Sequence, residues 1–296
     1  VGVGRIRAIG VAVLAFAAVG CARAPSPLAP QFAGSIGMPH RGVLTSAIEL
    51  PPEGEGYKWL RQDNRHYGIP RFVRAIERAA ASVARARPGG ILSVGDLSTR
   101  TGGQLLPHLS HRTGRDADLL LYMTTLEGAP VESPGFIPVG PDGLAWDEKN
   151  QRFLRFDVER TWLLVKALVE DPEARVQWVF AHRNVEALLL EYGRARGESG
   201  ETLWRAMEVM RQPNPGGPHD DHVHVRTACT PEEIVAGCEH TGPRRPWIDA
   251  LDGDAPEPDP DVALLEAILR PFGSWRPENE DRTASNASAS ADAAPR

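Results

Sequence analysis

Residues 222–226 read His-Val-His-Val-Arg, and that alternation constrains the fold more than any other stretch. Side chains two apart on a strand share a face. His222 and His224 therefore point one way, while Val223 and Val225 pack into a core on the other. His219 comes three residues before His222, just after Gly216-Gly217-Pro218, and stands at the mouth of the imidazole face.

A second histidine stretch lies about a hundred residues upstream: His108-Leu-Ser-His111-Arg-Thr-Gly114-Arg-Asp116-Ala-Asp118. The two stretches hold five of the nine histidines. Gly114 lets the loop turn, so His111 before a strand and Asp118 on it can converge. Two imidazoles and one carboxylate match the ligand set of catalytic zinc, with a fourth position open. Structural zinc sites use four protein ligands, commonly cysteine, and only three ligands are evident here. His219-Asp220 also matches the centre of the helical HD phosphohydrolases, but its surroundings read as strand. His108 either borders the site or orients a ligand from outside it. Asp116 shares the strand face of Asp118 and stands either against a ligand or in solvent. His40, His66, His182 and His240 lack such company and read as structural or surface residues.

Composition narrows the partners. A net charge of −6 argues against nucleic acid. The three lysines, Lys58, Lys149 and Lys166, follow Glu55, Trp146 and Leu163 by three positions, so no Ser-x-x-Lys acylation motif exists. Residues 1–20 read as a bacterial export signal, with Arg5 and Arg7 ahead of the apolar run Ile9–Val19. Ala18-Val19-Gly20-Cys21 resembles the lipobox of bacterial lipoproteins, although Ala18 stands where that motif usually has leucine. This implies either a lipid on Cys21, anchoring the protein to a membrane, or plain cleaved secretion, and places it in the periplasm. Cys229 and Cys238 span a short loop, which in an exported chain points to a disulfide, the alternative being two buried thiols.

The remainder reads as follows. Residues 21–34 form a tether, and Gly34–Tyr67 wraps the core as irregular structure. Helical spacing predicts helices at Arg71–Arg87, Arg160–Glu170, Val185–Tyr192, Thr202–Met210 and Val262–Leu269. Strands are expected at Ile91–Asp96, Asp118–Met123 and Val176–Phe180, besides the second histidine stretch. A Pro/Gly-rich excursion runs from the second of these to Gly143. Residues 246–281 are an acidic, proline-rich extension, and 282–296 a tail without core-forming residues, expected to be disordered.

His-x6-Asp followed far downstream by His-x-His resembles the lysostaphin/D-Ala-D-Ala metallopeptidase group. The fuller pattern, His108-x-x-His111-x-x-Gly114-x-Asp116-x-Asp118 and His219-x-x-His222-x-His224-Val-Arg226, is similar to the penicillin-insensitive murein endopeptidases. The likeness extends to Gly34–Gly37, Leu92–Asp96 and the Cys229/Cys238 pair, covering roughly residues 34–240. It implies one catalytic zinc on His111, Asp118 and His224, with His222 as general base. His219 is implied as a further catalytic or transition-state-stabilising group, and the substrate as a peptidoglycan crosslink such as D-alanyl-diaminopimelate.

The resemblance also implies the architecture: one α+β catalytic domain over about 35–245. Its mainly antiparallel sheet carries the zinc site on one face and is flanked by helices. A D,D-carboxypeptidase or D-Ala-D-Ala dipeptidase on the same scaffold is the nearest rival. Those branches typically carry a glutamate shortly before the last ligand, whereas Asp221, His222 and Val223 precede His224 here. A non-catalytic lipoprotein that binds the cell wall is the rival from another class.

Overall fold

A computed structural model describes residues 32–213 and 216–252. The export signal, Cys21, most of the tether, the helix expected at Val262–Leu269 and the C-terminal tail lie outside the described residues.

The first part of the described chain is more regular than its sequence predicts. Instead of wholly irregular structure, Gly34–Tyr67 contributes to six short strands: β1 (Ser35–Met38), β2 (Arg41–Leu44), β3 (Ile48–Glu49), β4 (Glu53–Gly54), β5 (Tyr57–Trp59) and β6 (Tyr67–Gly68). Most are only two to four residues long, too short for an alternating pattern to register. Helix α1 (Pro70–Ala86) follows, with Pro70 in its first turn, where a missing N–H costs nothing. Its buried stripe of Phe72, Val73, Ile76, Ala79, Ala80 and Val83 is the one its spacing predicts.

Strands β7 (Leu92–Val94), β8 (Asp116–Leu120), β9 (Met123–Thr124) and β10 (Pro130–Val131) come next. The hairpin of β11 (Leu144–Asp147) and β12 (Arg152–Phe156) was not anticipated. Helix α2 (Val158–Glu170) starts at Asp157, whose carboxylate accepts from the Arg160 N–H and satisfies one free donor of the first turn. Strand β13 (Val176–Phe180), helix α3 (Arg183–Ala195) and helix α4 (Gly200–Val209) follow, with Ser199 capping α4. The last helix stops one residue earlier than its spacing predicts, because Met210 and Arg211 form strand β14, paired with β13. Strand β15 (His222–Thr227) and helices α5 (Pro231–Val235) and α6 (Pro246–Asp252) complete the order.

The main sheet has seven strands in the order β14-β13-β15-β8-β7-β5-β4. Its centre is antiparallel: β13 with β15, β15 with β8, and β8 with β7. Only the outer pairs β13·β14 and β5·β7 run parallel. A four-stranded antiparallel sheet, β10-β9-β12-β11, lies beside it. The architecture is therefore α+β and mainly antiparallel. One core takes Ala117, Leu119, Val223 and Val225 from the central strands together with Phe72, Ile76, Trp162 and Leu189 from the helices. Cys229 and Cys238 form a disulfide. The fully buried Arg115 donates to Cys229 Sγ and to the carbonyls of Gly37 and Glu239 beside it. No helix among the described residues is long and apolar enough to cross a membrane.

Candidate metal centre

Strands β8 and β15 set His224 directly opposite Asp118, Arg226 opposite Asp116, and His222 opposite Leu120. The alternating valines and Ala117 and Leu119 take the core side, which leaves the imidazoles and carboxylates together on the other face. His111 reaches them from the loop before β8. That loop turns at Gly114, whose φ is +69°, and a Cβ there would lie 2.7 Å from Leu44 Cδ2. His111 itself takes φ +64°, and its N–H donates to Asp116 Oδ2 at 3.2 Å.

Asp118 is the hub. Its Oδ1 lies 3.3 Å from His111 Nε2, 3.2 Å from His224 Nδ1 and 3.4 Å from His222 Nε2. Its Oδ2 lies 3.7 Å from His108 Nδ1. The other nitrogen of each ring faces a group that can only accept. His111 Nδ1 is 2.6 Å from the Leu97 carbonyl, and His224 Nε2 is 2.8 Å from Asp116 Oδ1. His222 Nδ1 is 2.5 Å from Asp221 Oδ1, and His108 Nε2 is 2.6 Å from Asp96 Oδ2. Those outer nitrogens carry the protons, so in the neutral rings the inner nitrogens turn lone pairs toward one carboxylate.

Such a junction calls for positive charge between nitrogen and carboxylate, supplied by a ring proton or by a cation. His111 Nε2 and both Asp118 oxygens are buried without a hydrogen-bond partner. Ligand-forming atoms of His108, His111 and Asp118 lie within 4.8 Å of one another, as do those of His219, His222 and His224. Imidazole and carboxylate donors whose outer atoms are held by a carbonyl and a second carboxylate fit a divalent cation such as zinc.

The electrostatics follow the same geometry. Burial would raise the Asp118 and Asp116 carboxyls, but neighbouring imidazoles, and Arg226 beside Asp116, hold both well below the usual range. Burial would lower His222, yet Asp118 and Asp221 outweigh it and raise the ring to about 10. For His219 the attraction of Asp118 is outweighed. Burial, with His224 and His222 beside it, pushes it down to about 4.

Several neighbours were not read as site residues from the sequence. Asp96, almost fully buried, accepts from His108 and pairs with Arg61 and Arg65. It closes the Leu92–Asp96 stretch that shares the family likeness, but nothing there gave it a role. Phe136 lies edge-on to His222 at 5.3 Å, and Phe180 packs against His224 at 5.3 Å and His219 at 6.0 Å, giving the site aromatic walls. The histidines read as structural or surface residues stay outside this group. His66 is buried against Trp59, His182 caps α3, His40 is exposed and His240 lies apart.

The same residues coincide with a family signature. Residues 35–247 match the family model described as penicillin-insensitive murein endopeptidase. The chain is 31% identical over 239 residues to a protein of that name from Haemophilus influenzae, covering 77% of this chain and 73% of the relative. It is 28% identical over 254 residues to one from Shigella sonnei, covering 85% and 82%. It is 28% identical over 208 residues to one from Escherichia coli, covering 69% and 70%. With the match spanning both histidine stretches and every strand between them, the chain belongs to the penicillin-insensitive murein endopeptidase family.

Proposed function

We propose that this protein is an exported zinc endopeptidase that hydrolyses D-amino-acid peptide crosslinks in peptidoglycan, such as D-alanyl-diaminopimelate. The observation that carries the reading is the convergence of three imidazole nitrogens on Asp118 Oδ1. His111, Asp118 and His224 would hold the ion; they are the most deeply buried members of the group. A divalent ion there supplies Lewis acidity, activating a water and polarising the scissile carbonyl.

The protein's own groups account for the rest. His222 is less buried than the three ligands, so its Nε2 is accessible to substrate while Asp221 holds its Nδ1–H. It takes the proton of the attacking water and returns it to the leaving amine. Neutralising Asp118 with a cation removes the larger of the two attractions that raise His222 and returns it toward the range useful for a base near neutral pH. His219 is neutral at pH 7, so it would stabilise the developing oxyanion as a neutral N–H donor rather than as imidazolium. Phe136 and Phe180 narrow the access of water. With no Ser-x-x-Lys motif, β-lactams find no serine to acylate.

An export signal at 1–20 would put this activity in the periplasm, with Cys21 offering a lipid anchor and residues 35–245 the catalytic domain. Muropeptide chromatography of digested sacculi, with and without a chelator, tests the reading. Crosslinked dimers should fall to monomers, and the chelator should stop this. Release of free D-alanine instead would identify a D,D-carboxypeptidase, and an unchanged profile with intact wall binding would identify a non-catalytic binder.

A further inference from the structure

The metal-site face does not end at β15. Strand register continues it across the sheet: Asp118 pairs with His224, His224 with Phe180, and Phe180 with Arg211. The next row runs from Asp116 through Arg226 to Trp178. With strands about 4.8 Å apart, the Arg211 backbone lies roughly 10 Å from that of His224. That separation is about three residues of extended peptide.

The side chains along this path form a continuous platform. Phe180 packs on His224, and Trp178 stacks on Phe180 with ring centroids 5.9 Å apart. The Arg211 guanidinium sits over Trp178 at 5.0 Å, and that of Arg245 over the same ring at 4.7 Å. Stacking fixes a guanidinium in orientation without neutralising it.

Three arginines share the face, and two of them are committed. Arg226 pairs with Asp116, and Arg245 with Glu208. Arg211 is exposed and, among the described residues, has no carboxylate within ion-pair distance. It is a positioned, uncompensated cation at the far end of an aromatic path leading from the metal centre.

We propose that Arg211 determines specificity by binding a free carboxylate of the peptide stem, two strand spacings from the scissile bond. The stem would lie along Phe180 and Trp178. This rests on the peptidase reading above, and it adds which substrate group is recognised and by which residue. A guanidinium binds a carboxylate through paired, charge-assisted hydrogen bonds but gains little from the corresponding carboxamide.

The test compares crosslinked muropeptide dimers bearing stem carboxylates with the same dimers amidated at those positions. The zinc-loaded full chain should cleave the carboxylate form with a kcat/KM roughly tenfold to a hundredfold higher. Arg211→Gln should bring that ratio close to one by raising KM for the carboxylate form while leaving its kcat in place. Arg211→Lys should restore part of the preference. Arg244→Gln, which removes an exposed cation paired with Asp249 among the described residues, should leave the ratio as in the wild type. A wild type indifferent to amidation, or an Arg211→Gln enzyme that keeps the full ratio, would overturn the proposal while leaving the peptidase reading intact. Cleavage of neither form by the wild type would remove both.

Discussion

Asp116 accepts from His224 Nε2 at 2.8 Å and from Arg226 Nε at 2.6 Å, so one fully buried carboxylate orients an imidazole and neutralises a guanidinium. Asp116→Asn keeps the shape and removes the charge. Arg226 is then left largely buried without a counter-ion, a loss of about 3 kcal/mol or more. His224 loses its orienting acceptor, and metal affinity should fall tenfold to a hundredfold. Urea unfolding and competitive metal titration read the two effects separately.

The proposed ligands and the proposed base should part company on mutation. His111→Ala and Asp118→Ala are expected to lose both bound metal and activity. His222→Ala should keep the metal and lose about 10²–10⁴-fold in turnover. Elemental analysis alongside muropeptide kinetics gives both numbers, and full activity in His222→Ala would remove its role as base.

The Cys229–Cys238 bridge closes a loop nine residues apart in sequence and covers the buried Arg115. Replacing both cysteines with alanine should cost about 2–3 kcal/mol, the chain-entropy value for a short loop. Reductant should destabilise the wild type by a similar amount. It should leave the double variant unchanged in the same thermal or urea melts.

His66, which is not among the proposed ligands, supplies a separate pH dependence. It is fully buried and stacked on Trp59 at 3.9 Å. Burial lowers its pKa below 6.5 and outweighs the opposing attraction of Asp63. As pH falls below 6.5 the unfolded chain takes up this proton first, so the contribution is complete above that pH and is lost below it. His66→Phe keeps the stack and should remove up to about 1.4 kcal/mol per pH unit from the acid-side slope of stability. An unchanged slope in urea titrations at stepped pH would show that His66 is not responsible.

What could be read in the sequence was what repeats locally. The alternation of His222, Val223, His224 and Val225 gave the strand and both its faces, and Phe72 through Val83 gave helix α1. The pairs Ile48–Glu49 and Tyr67–Gly68 are too short to carry a period, so the strands of the N-terminal region went unseen. Asp96 and Phe180 were missed for a different reason. Phe180 joins the site through strand register and Asp96 through its contact with His108, long-range relations that define no local pattern. Asp221 was in view as the neighbour of His222, but only the side-chain geometry shows it holding that ring.

The pairing of β8 with β15 joins residues more than a hundred positions apart, and His224 faces Asp118 only where the two strands meet. A chain emerging in order from its N-terminus carries the first histidine stretch long before the second. Until β15 docks, His111 and Asp118 lack His224, and the proposed ligand set is incomplete. If the proposed ion binds there, its full ligand set would be completed only after nearly the whole domain has been made, and its supply would be that of the compartment in which folding finishes.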